Sequence, residues 1–450
     1  MQLPSRFLTS IQHAKGFDKE AFEKVHSSGE QITSIRINPL KPIAKLVDQF
    51  INELEPVPWS QYGYYLKTRP SFTFDPLFHA GTYYVQEASS MFLEQALRQT
   101  VDLTKPLRIL DLSAAPGGKS THIQSLISKD SLLVSNEVIR SRSNILKDNI
   151  IKWGAENVMV TNNDPKDLAE LENYFDVIVV DAPCSGSGLF RRDPEAIKEW
   201  SENNVQLCSQ RQQRILADVW PALKKDGILI YSTCSYSEEE DEAIVSWLTE
   251  TLPVAHCPLH IDDKWGIVES NGGNRFWPDK VKGEGFFLAC LQKKDGDDGS
   301  SFNGKNKTTT LSKKETEIVE KWLRAGERKY VKHVNAVYAW PVELSEEFSF
   351  LLERLKVVYS GVLVGELMRD KLIPDHALAM SKMISDEISK TDLNLDQAIA
   401  YLQRKELKVE PVKTGWQLVS YESHPLGWIN SLPNRINNYY PKELRILKEI

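Results

Sequence analysis

From about residue 76 to 292 the chain alternates short apolar runs with stretches of helical pattern, and few folds accept that alternation. The runs are Leu107-Arg-Ile-Leu-Asp111, Leu132-Leu-Val-Ser135, Val158-Met-Val-Thr161, Val177-Ile-Val-Val180, Ile228-Leu-Ile-Tyr231 and Gly285-Phe-Phe-Leu-Ala-Cys290. Parallel strands need long crossovers, usually helices, so the pattern reads as βαβ units on a parallel sheet. In such sheets the groups released at the strands' carboxyl ends build the site. Three ends here release reactive or ligand-binding groups. Asp111 leads into Ser113-Ala-Ala-Pro-Gly-Gly-Lys119, Val180 into Asp181-Ala-Pro-Cys184-Ser-Gly186, and Tyr231 into Ser232-Thr-Cys234-Ser235.

Around this core the sequence predicts smaller units. Residues 1–75 combine a helix over Phe17–His26 with a strand over Thr33–Asn38, an N-terminal α+β domain. The core domain spans 76–292. Polar, glycine-rich residues 293–312 read as a linker, 313–395 as an intermediate α/β domain and 396–450 as a C-terminal RNA-binding region. Glu315–Leu323 reads as a helix, and Val357–Val364 and Trp416–Tyr421 as strands of the appended units. No run of apolar residues is long enough for a membrane span, and the start lacks the regions of a signal peptide, so a cytoplasmic protein is expected. The five cysteines form no CxxC pair, which argues for free thiols in a reducing compartment. His256-Cys257-Pro-Leu-His260 matches no standard zinc spacing, and no metal is expected. The formal net charge of −7 disfavours a wholly basic nucleic-acid surface and leaves room for a local one.

The loop after the first strand ends in Gly118-Lys119-Ser120, as a P-loop does, but Ser113 stands where that motif needs its first glycine. A GxGxxG fingerprint is absent too. What remains is a small-residue loop at a helix start, suited to a cofactor without phosphates such as S-adenosyl-L-methionine. Glu137 follows the second strand, where an acid can accept from ribose hydroxyls. Asp164 follows the third and can reach an adenine edge.

Two thiols and a carboxylate in one site fit methylation of cytosine at carbon 5. That carbon is a poor nucleophile until a thiolate adds at carbon 6, a case of covalent catalysis. Addition drives negative charge toward ring nitrogen 3, where Asp181 can hydrogen-bond if its pKa is raised, and a second thiol can serve release of the product. Lys119 either orients Asp181, stabilises the thiolate, or is solvated. Residue types alone do not order Cys184 and Cys234. Cys208, Cys257 and Cys290 read as small packing residues.

These motifs resemble the RNA cytosine-C5 methyltransferase family, the Nop/Sun proteins. The family's cofactor loop is similar to Ala114, Ala115, Pro116, Gly117, Gly118, Lys119 and Ser120, and its nucleotide contacts to Glu137, Arg142 and Asp164. Asp181–Gly186 resembles its DAPCSG motif and Thr233–Ser235 its TCS motif. The resemblance implies that Cys234 attacks and Cys184 assists release. It also implies a Rossmann-like core with a mostly parallel seven-stranded sheet, S-adenosyl-L-methionine as cofactor, and RNA as partner. Arg36-Ile-Asn-Pro39, Gly81–Ser90, Arg275-Phe-Trp-Pro278 and Gly283–Phe287 extend the likeness over about residues 30–292. One departure is Asp241, between Glu240 and Glu242, where relatives usually carry Asn; this touches a capping or packing contact.

Ser423–Trp428 and Asn437–Leu444 are similar to the PUA-like tail of the family's bacterial 16S ribosomal RNA branch, which acts near the decoding site. Tyr439, Tyr440, Lys442 and Arg445 there suit stacking on unpaired bases, or the core of a small β domain. The expected substrate is 16S ribosomal RNA in the assembled or assembling small subunit, with neither DNA nor membrane as partner. Alternatives are the same chemistry on transfer RNA or 23S ribosomal RNA, or a silent RNA-binding assembly factor.

Overall fold

The computed structural model describes residues 3–42, 54–296, 308–407, 409 and 413–449. The apolar runs of the core become parallel strands β1 (Arg108–Asp111), β2 (Leu132–Asn136), β3 (Val158–Thr161), β4 (Phe175–Asp181) and β5 (Leu223–Thr233). They lie in the order β5-β4-β1-β2-β3. Their residues are almost continuously buried, as expected for strands covered by helices on both faces. β6 (Phe286–Lys293) joins β5 antiparallel, pairing Phe287 with Thr233. This is the Rossmann-like arrangement, with the site at the carboxyl ends of β1, β4 and β5.

Among the described residues the sheet has ten strands, not seven, and only the central five are mutually parallel. The additions have local causes. Asn271-Gly272, both at positive φ, make a two-residue turn between strands Val268–Ser270 and Gly273–Phe276, which pair antiparallel beside β6. At the other edge, the expected strand Val357–Val364 is divided. Val357–Ser360 (β7) pairs antiparallel with β3, and Val362–Met368 joins a separate four-stranded sheet. Gly361 between them takes φ 59°, a turn that glycine makes without steric cost.

An N-terminal sheet holds Thr33–Ile37, Leu54–Pro56, Gly63–Leu66 and Tyr83–Val85, so it runs past the boundary expected at residue 75. The C-terminal sheet starts at Lys390–Leu393 rather than after 395, because that strand pairs in parallel with Gly415–Tyr421. The helix expected over Phe17–His26 is Lys19–Ser27, started by Asp18 accepting from the Ala21 amide; that expected over Glu315–Leu323 is Lys313–Glu320, capped by Ser312. Most of the expected linker, residues 297–307, lies outside the described residues. No helix among the described residues is long and apolar enough to cross a membrane.

Candidate active site

Parallel pairing of β4 with β5 sets Asp181 against Ser232, so the two loops that follow leave the sheet side by side. The thiols of Cys184 and Cys234 consequently stand 3.0 Å apart. The adjacent Cys234 sulfur, burial and the nearby Glu240 push the Cys184 thiol well above the usual cysteine range. Cys184 therefore holds its proton and can donate it toward Cys234.

Glu240 buckles the two loops together. Its carboxylate accepts from the Ser185 amide at 2.7 Å, the Ser185 hydroxyl at 2.5 Å and the Ser235 hydroxyl at 2.7 Å. Burial still pushes its carboxyl up, against the pull of the serine hydrogen bonds. Asp241, which the sequence assigned to a cap or packing contact, is fully buried; it accepts from the Thr233 hydroxyl at 2.5 Å and faces Arg275 at 3.3 Å. That places it directly beneath the Cys234 loop.

Asp181 meets two groups. Oδ1 accepts from the Ser232 hydroxyl at 2.9 Å, and Oδ2 lies 2.7 Å from Lys119 Nζ. Lys119 is therefore paired with Asp181. Lys119 comes from helix α1 (Gly118–Gln124), entered through Gly117 at φ 115°. Below this helix Arg36 is buried and reaches across from the N-terminal sheet, donating to the Thr121 hydroxyl at 2.6 Å and the Ser125 hydroxyl at 2.9 Å.

A cleft of about 320 Å³ gathers Ala114, Ala115, Pro116, Gly118, Lys119, Asp181 and Cys234 on one wall. Tyr84, Gln86, Arg192, Glu284 and Phe286 face them. Ser120 is not part of it: its hydroxyl turns inward and donates to Asp111 at 2.6 Å. Glu137 and Arg142 stand behind the loop. Arg142 donates to the Ala115 carbonyl at 2.8 Å and lies 3.5 Å from Glu137 Oε2. Glu137 Oε1 accepts from the Ile139 amide at 2.9 Å, whereas Oε2 is buried with no hydrogen-bond partner. A carboxylate oxygen held only by an ion pair, beside a loop of small residues, fits a ligand that brings hydroxyl donors, as a ribose does. Asp164 is an exposed helix cap, accepting from the Lys166 amide and closed by Asp167 in a capping box. A larger cavity, about 430 Å³ between Tyr338, Trp340 and Tyr359, contains none of these residues.

The family models that match the chain describe the 16S rRNA methyltransferase RsmB/F (residues 99–292), the N-terminal domain of 16S rRNA methyltransferase RsmF (3–88), the RsmF rRNA methyltransferase first C-terminal domain (314–381) and the methyltransferase RsmF PUA domain (389–446). Ribosomal RNA small subunit methyltransferase F of Pectobacterium atrosepticum is 30% identical over 447 residues, covering 91% of this chain and 89% of that protein. The chain belongs to the ribosomal RNA small subunit methyltransferase F family. The namesake protein of Shewanella piezotolerans is 29% identical, with 93% of this chain and 92% of that protein covered. Among solved structures, a methyltransferase homolog from Pyrococcus horikoshii aligns with a TM-score of 0.52 at 27% identity, covering 65% of this chain and all of that one. As a family member the chain is an S-adenosyl-L-methionine-dependent RNA methyltransferase with a Rossmann-like core.

The tail divides its aromatic pair. Tyr439 is exposed, its ring 4.4 Å from Trp416, while Tyr440 is core, packed 5.5 Å from Tyr401, and so is no platform for a base. Cys208 and Cys290 are buried and Cys257 is half-buried, none of them in the cleft. Sequence reasoning gave no role to Glu240, Arg36 or Arg192. For Glu240 the available signal was its position six residues after Cys234, inside an acidic run that reads as solvated surface.

Proposed function

We propose that the protein methylates carbon 5 of cytosine in 16S ribosomal RNA through a covalent bond between Cys234 Sγ and cytosine C6. The observation that carries this reading is the pair of thiols 3.0 Å apart beside the Lys119–Asp181 ion pair. Cys234 attacks C6, and the electron pair of the C5–C6 double bond moves toward ring nitrogen 3. As charge gathers at ring nitrogen 3 that nitrogen takes a proton, supplied from the Lys119–Asp181 pair that Ser232 holds in place beside Cys234. S-adenosyl-L-methionine supplies the methyl group to carbon 5. Ala114–Lys119 would hold it by backbone contact and Glu137 would take its ribose hydroxyls, with Arg142 bracing Glu137 against the loop. Asp164 meets the adenine edge.

Release breaks the C6–S bond, returns its electron pair to Cys234 and passes the carbon-5 proton to a base. Cys184, whose sulfur lies 3.0 Å from that of Cys234, is the thiol placed to serve this release as the group that takes the proton. This supports Cys234 as nucleophile and Cys184 as the residue of release.

The units along the chain share the work: the core sheet carries the chemistry, and the N-terminal sheet that runs to Val85, the unit that follows residue 313 and the C-terminal unit that starts at Lys390 hold the RNA. Resemblance to the 16S branch supports a target near the decoding site, met in the assembling small subunit in the cytoplasm. The test is a single-nucleotide map of 5-methylcytosine in small-subunit RNA from a strain lacking the protein. One or a few sites should be lost, restored by wild type and not by Cys234→Ala. Cys184→Ala should accumulate an RNA–protein adduct; adduct levels equal to wild type would remove the release role. An unchanged map would move the substrate to transfer or large-subunit RNA.

A further inference from the structure

The cleft holding Cys234 and Asp181 does not end at the methyltransferase core. Val85, Gln86, Glu87, Arg192 and Glu284 line both it and a smaller groove that continues past Ser34 of the N-terminal sheet to Arg69. The two form one channel, and a guanidinium stands at each stage of it.

Arg191 and Arg192 are neighbours in sequence with opposite fates. Arg191 is buried, with Nε 3.0 Å from Glu284 and Nη2 2.7 Å from the Gly283 carbonyl. Arg192 is exposed; its amide donates to the Leu189 carbonyl at 2.9 Å, and its guanidinium has no hydrogen bond or ion pair among the described residues. The nearby carboxylates are committed elsewhere. Glu284 serves Arg191, and Glu87 accepts from the amides of Ser89, Ser90 and Glu284 at 2.8–2.9 Å. Arg69 is likewise exposed, its guanidinium 5.4 Å above the Phe72 ring with no ion pair.

We propose that Arg192 binds the phosphodiester adjoining the target nucleotide, and that the RNA strand continues over the N-terminal sheet to a second phosphate contact at Arg69. This deepens the reading above, resting on entry of a cytosine at Cys234. A base that reaches the thiol at the cleft floor leaves its phosphates at the rim. The planar guanidinium fork matches phosphate oxygens bidentately. With a net charge of −7, the protein needs local cations outside ion pairs to hold a polyanion.

The test is equilibrium binding of unmodified, in vitro transcribed 16S RNA to the full-length protein over a series of KCl concentrations. Arg192→Gln should weaken binding about tenfold and lower the slope of log affinity against log salt by about 0.7, the value for one single-strand phosphate contact. Arg69→Gln should cost about threefold. Arg192→Lys should restore the slope and only part of the affinity, because the charge returns without the fork. The thermal unfolding midpoint should stay unchanged in all three, which reports an intact fold. Unchanged RNA affinity and slope in the Arg69→Gln/Arg192→Gln double variant would overturn the proposal. Binding is measured without chemistry, so its outcome is independent of whether Cys234→Ala abolishes methylation.

Discussion

Glu240 and Glu137 are buried carboxylates on opposite sides of one site, and they are built differently. Glu240, beneath the thiols, has both oxygens occupied by donors from the two cysteine loops. Glu137, behind the cofactor loop, keeps one oxygen without a hydrogen-bond partner. A carboxylate whose oxygens are both hydrogen-bonded is fixed by the chain, whereas Glu137 Oε2 has only the Arg142 guanidinium at 3.5 Å and keeps capacity for a ligand's hydroxyl. The chemical end is therefore preorganised by the chain itself, and the nucleotide end is finished by what binds there.

The largest break in that comparison is Glu240→Ala. It strands the Ser185 amide and hydroxyl and the Ser235 hydroxyl together, and should cost about 4 kcal/mol of stability by denaturant unfolding. The loss of turnover should exceed about a hundredfold, because the thiols lose their shared brace. Glu240→Gln, which keeps an acceptor, should lie between. Wild-type turnover in Glu240→Ala would mean the loops hold their geometry without it.

A second lever is pH, through Asp111 at the floor of the cofactor loop. Burial pushes its carboxyl up to about 7, against the Ser120 hydrogen bond and the Lys119 charge. A carboxyl raised above its unfolded value of about 3.9 is held neutral in the fold, so the unfolded chain releases its proton first as pH rises. Its contribution to stability is present below pH 4 and is lost toward pH 7. Asp111→Asn removes that loss, and its stability relative to wild type should rise by about 3 kcal/mol between pH 4 and pH 8. A difference that stays flat with pH would show that Asp111 ionises freely in the fold.

The Glu137 oxygen gives the third. Glu137→Gln replaces an acceptor with a donor and should weaken S-adenosylhomocysteine binding about tenfold by calorimetry, with 16S RNA affinity unchanged. An equal fall in both affinities would mean the substitution disturbs the fold rather than the nucleoside contact.

How much of this was legible in the sequence follows the same division. The five parallel strands and the reactive groups at their ends could be read from residue order, because strand ends converge once the sheet is parallel. The antiparallel additions could not be read as fully. Asn271-Gly272 is a visible turn signal, but the pairing of Val357–Ser360 with Val158–Thr161 joins segments about two hundred residues apart. Local pattern has no access to such a contact. Glu240 was hidden for another reason: in Glu238-Glu-Glu-Asp-Glu242 nothing distinguishes a buried carboxylate from a solvated one until the serine loops close over it. Tyr440 stood open between base platform and core for the same reason, since exposure of neighbouring aromatics depends on which face meets Tyr401.

Asp164 offers the smallest effect and the sharpest reading of the nucleotide end. As a helix cap it accepts from the Lys166 amide, and Asp164→Ala should cost about 1 kcal/mol of stability. Asp164→Asn keeps a capping oxygen, since Asn and Asp cap equally well, and removes only the charge. Stability should then match wild type while cofactor affinity falls a few-fold, because an adenine amine donates less strongly to an amide than to a carboxylate. If affinity is unchanged in Asp164→Asn and in Asp164→Ala alike, the residue is a cap alone, and Glu137 with the Ala114–Lys119 loop holds the nucleoside without it.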